Sequence, residues 1–184
     1  LAMKKSSDGT KTPLLGFFIS AEFQADKDPN PSAIGFYKVN DDLLSDLRQN
    51  PIQKNASGLG FIRRAELTRL SDLEKIKAYD NVKSRSARMT AKVDFQPAKG
   101  ITISLGGSGA YSNRREFTYT YALFNAVNNP QLIDYTWRAF ARFTHRLGSA
   151  DASKEKSAST IKNAYYNIQV DYTKEHRIRQ DDVH

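Results

Sequence analysis

The stretch RMTAKVDFQPAKGITISLGGSGAYS, residues 88–112, decides the fold class, because its side chains alternate between apolar and polar. Its first half carries apolar side chains at Met89, Ala91, Val93 and Phe95. A period of two residues places alternate side chains on opposite faces of a β-strand. The segment PAKG, residues 97–100, has turn chemistry, and the alternation resumes after it. The stretch therefore predicts two antiparallel strands that share one apolar face.

Most of the remaining chain follows the same rhythm. Four more strands are predicted, in PLLGFFISAEFQAD (13–26), EFTYTYALF (116–124), YTWRAFARFTHRL (135–147) and NAYYNIQVDYTKEH (163–176). The region 26–82 is the least sheet-like part. Within it, VNDDLLSDLRQNP predicts a short helix capped by Asn40 or Asp41, and LTRLSDLEKIKAYDNV predicts a second helix capped by Ser71. The sequence thus predicts an all-β protein with a long loop that contains short helices.

Composition removes several classes of protein. The chain has 184 residues, a formal net charge of +8 and no cysteine. One domain is expected from this length. The lack of cysteine excludes a disulfide framework, a thiolate metal site and a cysteine nucleophile. No apolar segment is long enough for a transmembrane helix, which excludes a helical membrane protein. A membrane β-barrel stays open, because alternating strands average out as polar.

Strand length and polar-face charge predict the medium around the sheet. Soluble strands most often have about five to six residues, whereas a tilted strand needs about nine to eleven to cross a bilayer. The predicted strands are long and carry charges in mid-strand. They indicate an antiparallel transmembrane β-barrel with lipid outside and a water-filled lumen inside. Six strands are fewer than the about eight of the smallest bacterial barrels, so a part of a larger barrel is expected.

The alternative is a soluble all-β binding module, a sandwich or barrel whose positive charge suits an anionic polymer or nucleic acid. Alternation alone assigns side chains to the lumen, and the lumen-facing candidates are Arg88, Lys92, Asp94, Arg138 and Arg142. At strand spacing, Trp137 and Phe143 lie on the face opposite the arginines. Base stacking and phosphate contacts would then point apart, so no nucleic acid partner is expected.

No catalytic residue, metal site or cofactor is expected. The segment GGSGAY, residues 106–111, lacks the Lys-Ser/Thr of a phosphate-binding loop, and its glycines suit mid-strand bending or close approach. No Ser-His-Asp order or carboxylate pair supports an enzyme. A polar turn after the last strand, rather than a metal site, is the favoured interpretation of His176, Asp181, Asp182 and His184.

Longer segments carry a family resemblance. The most specific of these segments are TWRAFARFTHRLG and NNPQLID. The others are PLLGFFISAEF, LSDLEKIKAYDNVKSRSARMTAKVDFQPAKGITISLGGS and IKNAYYNIQVDYTKEHRIRQDDVH. They resemble the early barrel strands of large TonB-dependent outer-membrane receptors of the Bacteroidota type. The resemblance extends from about Lys11 to the end of the sequence.

The resemblance implies a function and a set of partners. In that family a barrel of many strands encloses a plug domain, and the TonB system drives the import of a bound nutrient through a short N-terminal box. The chain shows neither plug nor box, so residues 1–184 are expected to be one barrel segment of a larger receptor in the bacterial outer membrane. The implied partners are the lipid bilayer, the remaining barrel and plug, the TonB system and an unidentified nutrient ligand. Residues 26–82 would form an external loop, and the even-numbered residues of strand 86–96 would face the lumen.

Overall fold

The computed structural model describes residues 2–5, 11–147 and 164–181. Within these ranges the chain is mostly antiparallel β-structure. The strands are β1 (Ala2–Lys5), β2 (Lys11–Asp26), β3 (Phe36–Val39), β4 (Ile52–Lys54), β5 (Phe61–Arg63), β6 (Leu73–Ile76), β7 (Ser84–Ala98), β8 (Ile101–Arg115), β9 (Gln131–Leu147) and β10 (Ala164–Gln180). Helical structure is found in α1 (Asp41–Gln49) and in 3-10 turns at Arg64–Leu67, Leu70–Asp72, Tyr119–Tyr121 and Ala126–Asn128. No helix in the described ranges has the length and apolar character needed to cross a membrane.

Six of the described strands form one sheet, the main sheet, in the order β1-β2-β7-β8-β9-β10. Two small antiparallel sheets pair β3 with β6 and β4 with β5. In the part of the chain that the structure describes, the main sheet is open, with β1 and β10 at its edges. The all-β, antiparallel class is confirmed, whereas the transmembrane barrel stays a prediction.

Strands β7 and β8 form the hairpin that the stretch 88–112 predicts. Gly100 closes the turn with a φ of 82°, which glycine adopts without strain. Near the turn, the Ser104 hydroxyl donates to Asp94 at 2.6 Å, and far from it the Arg115 N–H donates to the Lys83 carbonyl at 3.0 Å. Between these two contacts the residue number falls along β7 and rises along β8, as antiparallel pairing requires.

Internal contacts divide the chain into two compact units. Unit one comprises Leu1–Phe23, Ser86–Tyr111 and Asp134–Arg177, and unit two comprises Gln24–Arg85, Ser112–Ile133 and Ile178–His184. Unit one contains the greater part of each long strand of the main sheet, and unit two contains α1 and both small sheets. A single barrel segment over residues 1–184, with an external loop at 26–82, stays a prediction.

Unit two has an apolar core. Its buried apolar side chains are Val39, Leu47, Val82 and Leu132. Val39, at the end of β3, is only 1% exposed, and its N–H donates to the Leu123 carbonyl at 3.1 Å. Helix α1 follows directly, and the Asn40 side chain caps it by accepting from the Leu43 N–H at 2.8 Å. The first predicted helix and its Asn40 cap are confirmed.

The prediction of a strand at 116–124 is wrong. The segment forms the 3-10 turn Tyr119–Tyr121, closed by a hydrogen bond from the Tyr121 N–H to the Thr118 carbonyl at 2.9 Å. The Thr118 N–H in turn donates to the side chain of Asn129 at 3.3 Å. These contacts replace a sheet ladder, because β-propensity gives way to local packing and hydrogen bonding.

The prediction of a second helix at 67–82 is also wrong. The segment contains the 3-10 turn Leu70–Asp72 and the strand Leu73–Ile76. This strand pairs with β3, and Leu73 lies opposite Val39 at the edge of the core. A four-residue strand whose partner is more than thirty positions away leaves no clear periodicity in the sequence, so the helical spacing of its apolar residues was misleading.

Candidate functional site

One face of the main sheet in unit one is apolar from β2 to β10, and we call it the apolar face. Ring contacts connect neighbouring strands on it, with centroids 5.1 Å apart for Tyr111 and Tyr135 and 5.0 Å apart for Trp137 and Tyr172. Alternation places on this face Phe17, Ile19, Phe23, Met89, Val93, Phe95, Leu105, Tyr111, Tyr135, Trp137, Ile168, Val170 and Tyr172.

The apolar face is uncovered in the described structure. Phe23 is 71% exposed, Val170 is 67% exposed and Trp137 is 46% exposed. No large apolar side chain that the structure describes in unit one is buried. The largest apolar patch on a soluble monomer is usually about 300–600 Å², an area that a few aromatic side chains already reach. An exposed apolar face of this extent is unusual for a soluble monomer.

The opposite face, here called the polar face, carries paired charges. Lys92 Nζ lies 2.8 Å from Asp94 Oδ2, and the same carboxyl group accepts the Ser104 hydroxyl. One strand further, Arg138 Nη2 lies 2.5 Å from Asp171 Oδ1. Each of these two carboxylates has its own cation at contact distance. The two ion pairs make the polar face hydrophilic and add no net charge to it.

Gln169 connects Arg138 and Arg142 of β9. Its Oε1 accepts from Arg142 Nε at 2.6 Å, and its Nε2 donates to Asp171 Oδ2 at 2.7 Å. Asp171 in turn binds Arg138. The resulting chain of polar contacts holds β9 and β10 in one antiparallel register, because β9 residues of rising number meet β10 residues of falling number.

The lumen-facing candidates lie at alternate positions of their strands, as their spacing predicts. Four of the five make polar contacts on the polar face, namely Lys92, Asp94, Arg138 and Arg142. Arg88 is exposed on β7 and forms no ion pair with another described residue. That this face borders a lumen stays a prediction.

Sequence reasoning missed the partners of these candidates. Ser104, Gln169 and Asp171 have the right residue types, but only the strand register shows which group each one contacts. Ser104 contacts Asp94, Gln169 contacts Arg142 and Asp171 contacts Arg138. It also missed Phe140, whose ring lies over Gly106 on the polar face: a Cβ on Gly106 would come within 2.7 Å of the ring. The predicted close approach at a mid-strand glycine is confirmed there.

The polar turn predicted around His176 is wrong. Strand β10 continues to Gln180, and the His176 ring lies 6.5 Å from the Tyr135 ring. Asp182 and His184 lie outside the described residues. Within residues 2–5, 11–147 and 164–181, no group of three or more metal-binding side chains is close enough to hold an ion.

Unit two has a separate charged centre at Lys38. The Lys38 Nζ lies 2.9 Å from Glu74, 3.2 Å from Asp80 and 3.4 Å from Asp41. Hydrogen bonding to Glu74 is the main cause that raises the pKa of Lys38 above its ordinary value, and it outweighs the opposing effect of burial. The ammonium group therefore serves as the cation of this acidic centre and ties the start of α1 to β6.

A second ion pair in unit two predicts acid sensitivity. The hydrogen bond from Arg64 is the main cause that lowers the pKa of Asp46, and Asn50 adds another. Because the folded-state pKa lies below the unfolded value of about 3.9, the contribution to stability is present above that value and is lost as the pH falls through the folded pKa. We expect a carboxyl carbon NMR titration of Asp46 to have its midpoint below 3.9.

The control for this titration is Arg64→Gln, which removes the charge and leaves a side chain able to donate a hydrogen bond. The midpoint of Asp46 should move upward in this variant. An unchanged midpoint would mean that Arg64 does not set the pKa of Asp46.

No protein-family model matches the chain, and no curated protein or solved structure is significantly similar to it. The geometry of the two faces is therefore the basis for inferring the function of the chain.

Proposed function

We propose that the chain is an outer-membrane β-barrel segment of a TonB-dependent receptor, which takes part in binding and importing a nutrient ligand. One observation carries this proposal: the main sheet has an uncovered apolar face and, directly opposite, a face of ion-paired charges. A sheet with hydrocarbon on one side and water on the other has this pattern.

Strand length supports the same proposal. Strand β7 has 15 residues and β9 has 17. At about 3.3 Å per residue they extend over about 50 Å and 56 Å, against an apolar band of about 25 Å in transmembrane barrels. Even when tilted, strands of this length cross the band and continue beyond it.

The polar contacts speak against the alternative of a soluble module for nucleic acid or another anionic polymer. Arg138 is neutralised by Asp171, and Lys92 is neutralised by Asp94. The aromatic rings of Trp137 and Tyr172 lie on the apolar face, away from these cations. A base stacked on those rings would leave its phosphate without a nearby charge.

The test uses Trp137, the one tryptophan of the chain. With the chain reconstituted in phosphatidylcholine vesicles, brominated acyl chains should quench most of its fluorescence, since bromine quenches only at close contact and the Trp137 side chain lies on the apolar face. A water-soluble quencher such as iodide should have little effect.

Two variants provide the matched control, both built on Trp137→Phe. Tyr166→Trp places the fluorophore on the apolar face of β10, and Tyr165→Trp places it one position away on the polar face. Brominated lipid should quench the variant at 166 and spare the variant at 165. Equal quenching of the two variants, or none of Trp137 itself, would overturn the proposed function.

A further inference from the structure

Arg142 on the polar face has no carboxylate at contact distance among the described residues. Asp94 is bound by Lys92, and Asp171 is bound by Arg138. Arg142, between them on the polar face, bonds through Nε to the neutral amide of Gln169. Its two Nη groups form no hydrogen bond with any described residue. A guanidinium end with open donors is the group that binds a carboxylate through two parallel hydrogen bonds.

A pocket lies at this guanidinium. It has a volume of about 250 Å³, and the side chains that line it with Arg142 include Thr90, Ser108, Phe140 and Gln169. The Arg142 guanidinium carbon lies 5.9 Å from the centre of the Phe140 ring, which gives the pocket an apolar wall. The volume is below the about 300–1,000 Å³ of typical small-molecule sites, so the pocket suits one terminal group of a ligand.

From these contacts we propose that Arg142 and its pocket form a subsite for the carboxylate of a small, hydroxyl-bearing ligand. The carboxylate binds end-on to the two Nη groups of Arg142. The hydroxyl groups of Thr90 and Ser108 bond the polar substituents beside it, and the Phe140 ring packs against its carbon skeleton. Gln169 holds the guanidinium in place through Nε, so the two Nη groups are oriented before the ligand arrives.

This inference rests on the proposed function, because it assigns a ligand class to the face that the receptor would turn toward water. Net charge alone does not explain the site. Arg146, four residues further along β9, carries the same charge on the same strand and does not line the pocket. The two arginines therefore provide a comparison at constant net charge.

The experiment is equilibrium dialysis of the chain in lipid vesicles with labelled glucuronate, and with labelled glucose as the same ring without the carboxylate. We expect saturable binding of glucuronate and none of glucose. Arg142→Gln should weaken glucuronate binding about 10- to 100-fold, the usual effect of losing hydrogen bonds to a charged group. Arg146→Gln should bind like the unchanged chain.

A second variant, Arg142→Lys, keeps the positive charge and loses the paired Nη donors of the guanidinium. It should bind glucuronate more weakly than the unchanged chain and more tightly than Arg142→Gln. If Arg142→Gln does not assemble, as judged by circular dichroism, this variant decides the comparison. Equal binding of glucose, or full binding after either change at Arg142, would overturn the subsite.

Quenching of Trp137 by brominated lipid, measured on the same vesicles, separates the two proposals. Quenching without glucuronate binding would retain the membrane placement and overturn the subsite. Glucuronate binding without quenching would retain the subsite and overturn the membrane placement.

Discussion

Replacement of Val93 by arginine should lower the free energy of unfolding in lipid vesicles by about 2–4 kcal/mol. Val93 lies in the middle part of β7 on the apolar face, where the proposed function puts hydrocarbon. An arginine there must lose its hydration or distort the bilayer. Ile103 is on the same face of β8, and Ile103→Arg should cost a similar amount. Urea unfolding in vesicles, followed by Trp137 fluorescence, measures both changes.

The matched control is Gln96→Arg, which adds the same charge to the same strand on the polar face. It should change the unfolding free energy by less than about 1 kcal/mol, as is usual for a surface substitution. Lys92→Ala should also cost little, about 0–1 kcal/mol, because the Lys92 to Asp94 pair is partly exposed. A larger cost at Gln96 or Lys92 than at Val93 would reverse the assignment of the two faces.

Loss of the Asn129 side chain should destabilise unit two by about 1–3 kcal/mol. Asn129 is 1% exposed, and its amide donates to the Asn81 carbonyl at 3.2 Å while its Oδ1 accepts from the Thr118 N–H at 3.3 Å. Asn129→Ala would leave both backbone groups without these partners in a buried place. The rate of hydrogen exchange at the Thr118 amide, measured by NMR, should increase by the factor that corresponds to this loss of stability.

Asn128→Ala is the companion change next in the chain. Asn128 is half-buried, and its amide donates to the Asn125 side chain at 2.7 Å, so its loss leaves no backbone group unpaired. We expect it to cost less than about 1 kcal/mol. Equal effects of the two alanine substitutions on exchange at Thr118 would show that the amide of Asn129 is not what holds the turn.

The long strands could be predicted from the sequence because their period of two is repeated over many residues. In β7 and β8 the alternation, the turn glycine at position 100 and the apolar face all follow from one stretch. The Asn40 cap could be predicted equally well, because a capping side chain bonds to a backbone N–H only a few residues further along the chain. Each of these features is encoded locally, which is why composition and spacing were sufficient.

The segment 116–124 shows where such reasoning fails. Its Phe, Thr and Tyr alternation is typical of a strand, yet Asn129 captures the Thr118 N–H, and the Phe117 ring lies 4.2 Å from Tyr79. Both contacts come from residues outside the segment. Strand propensity reports how a residue fits a sheet, and it carries no information on whether a neighbouring strand is present.

The candidate subsite needed the register between β9 and β10. Arg142 could be assigned to a face from alternation, but its bond to Gln169 joins positions 27 residues apart. A shift of one residue in that pairing would put Gln169 on the other face. The cation could therefore be predicted from the sequence, whereas its orientation and the pocket could be found only from the fold.

The position of β10 in the main sheet has a consequence for assembly. In the described residues this strand has a neighbour on one side, and its other side presents a row of backbone amide and carbonyl groups. Each such group costs several kcal/mol if it enters hydrocarbon without a partner. Under the proposed function, insertion and edge pairing are therefore expected to be coupled: β10 would cross the bilayer together with a strand, from the rest of the receptor or from a second copy of the chain, that pairs with its open edge.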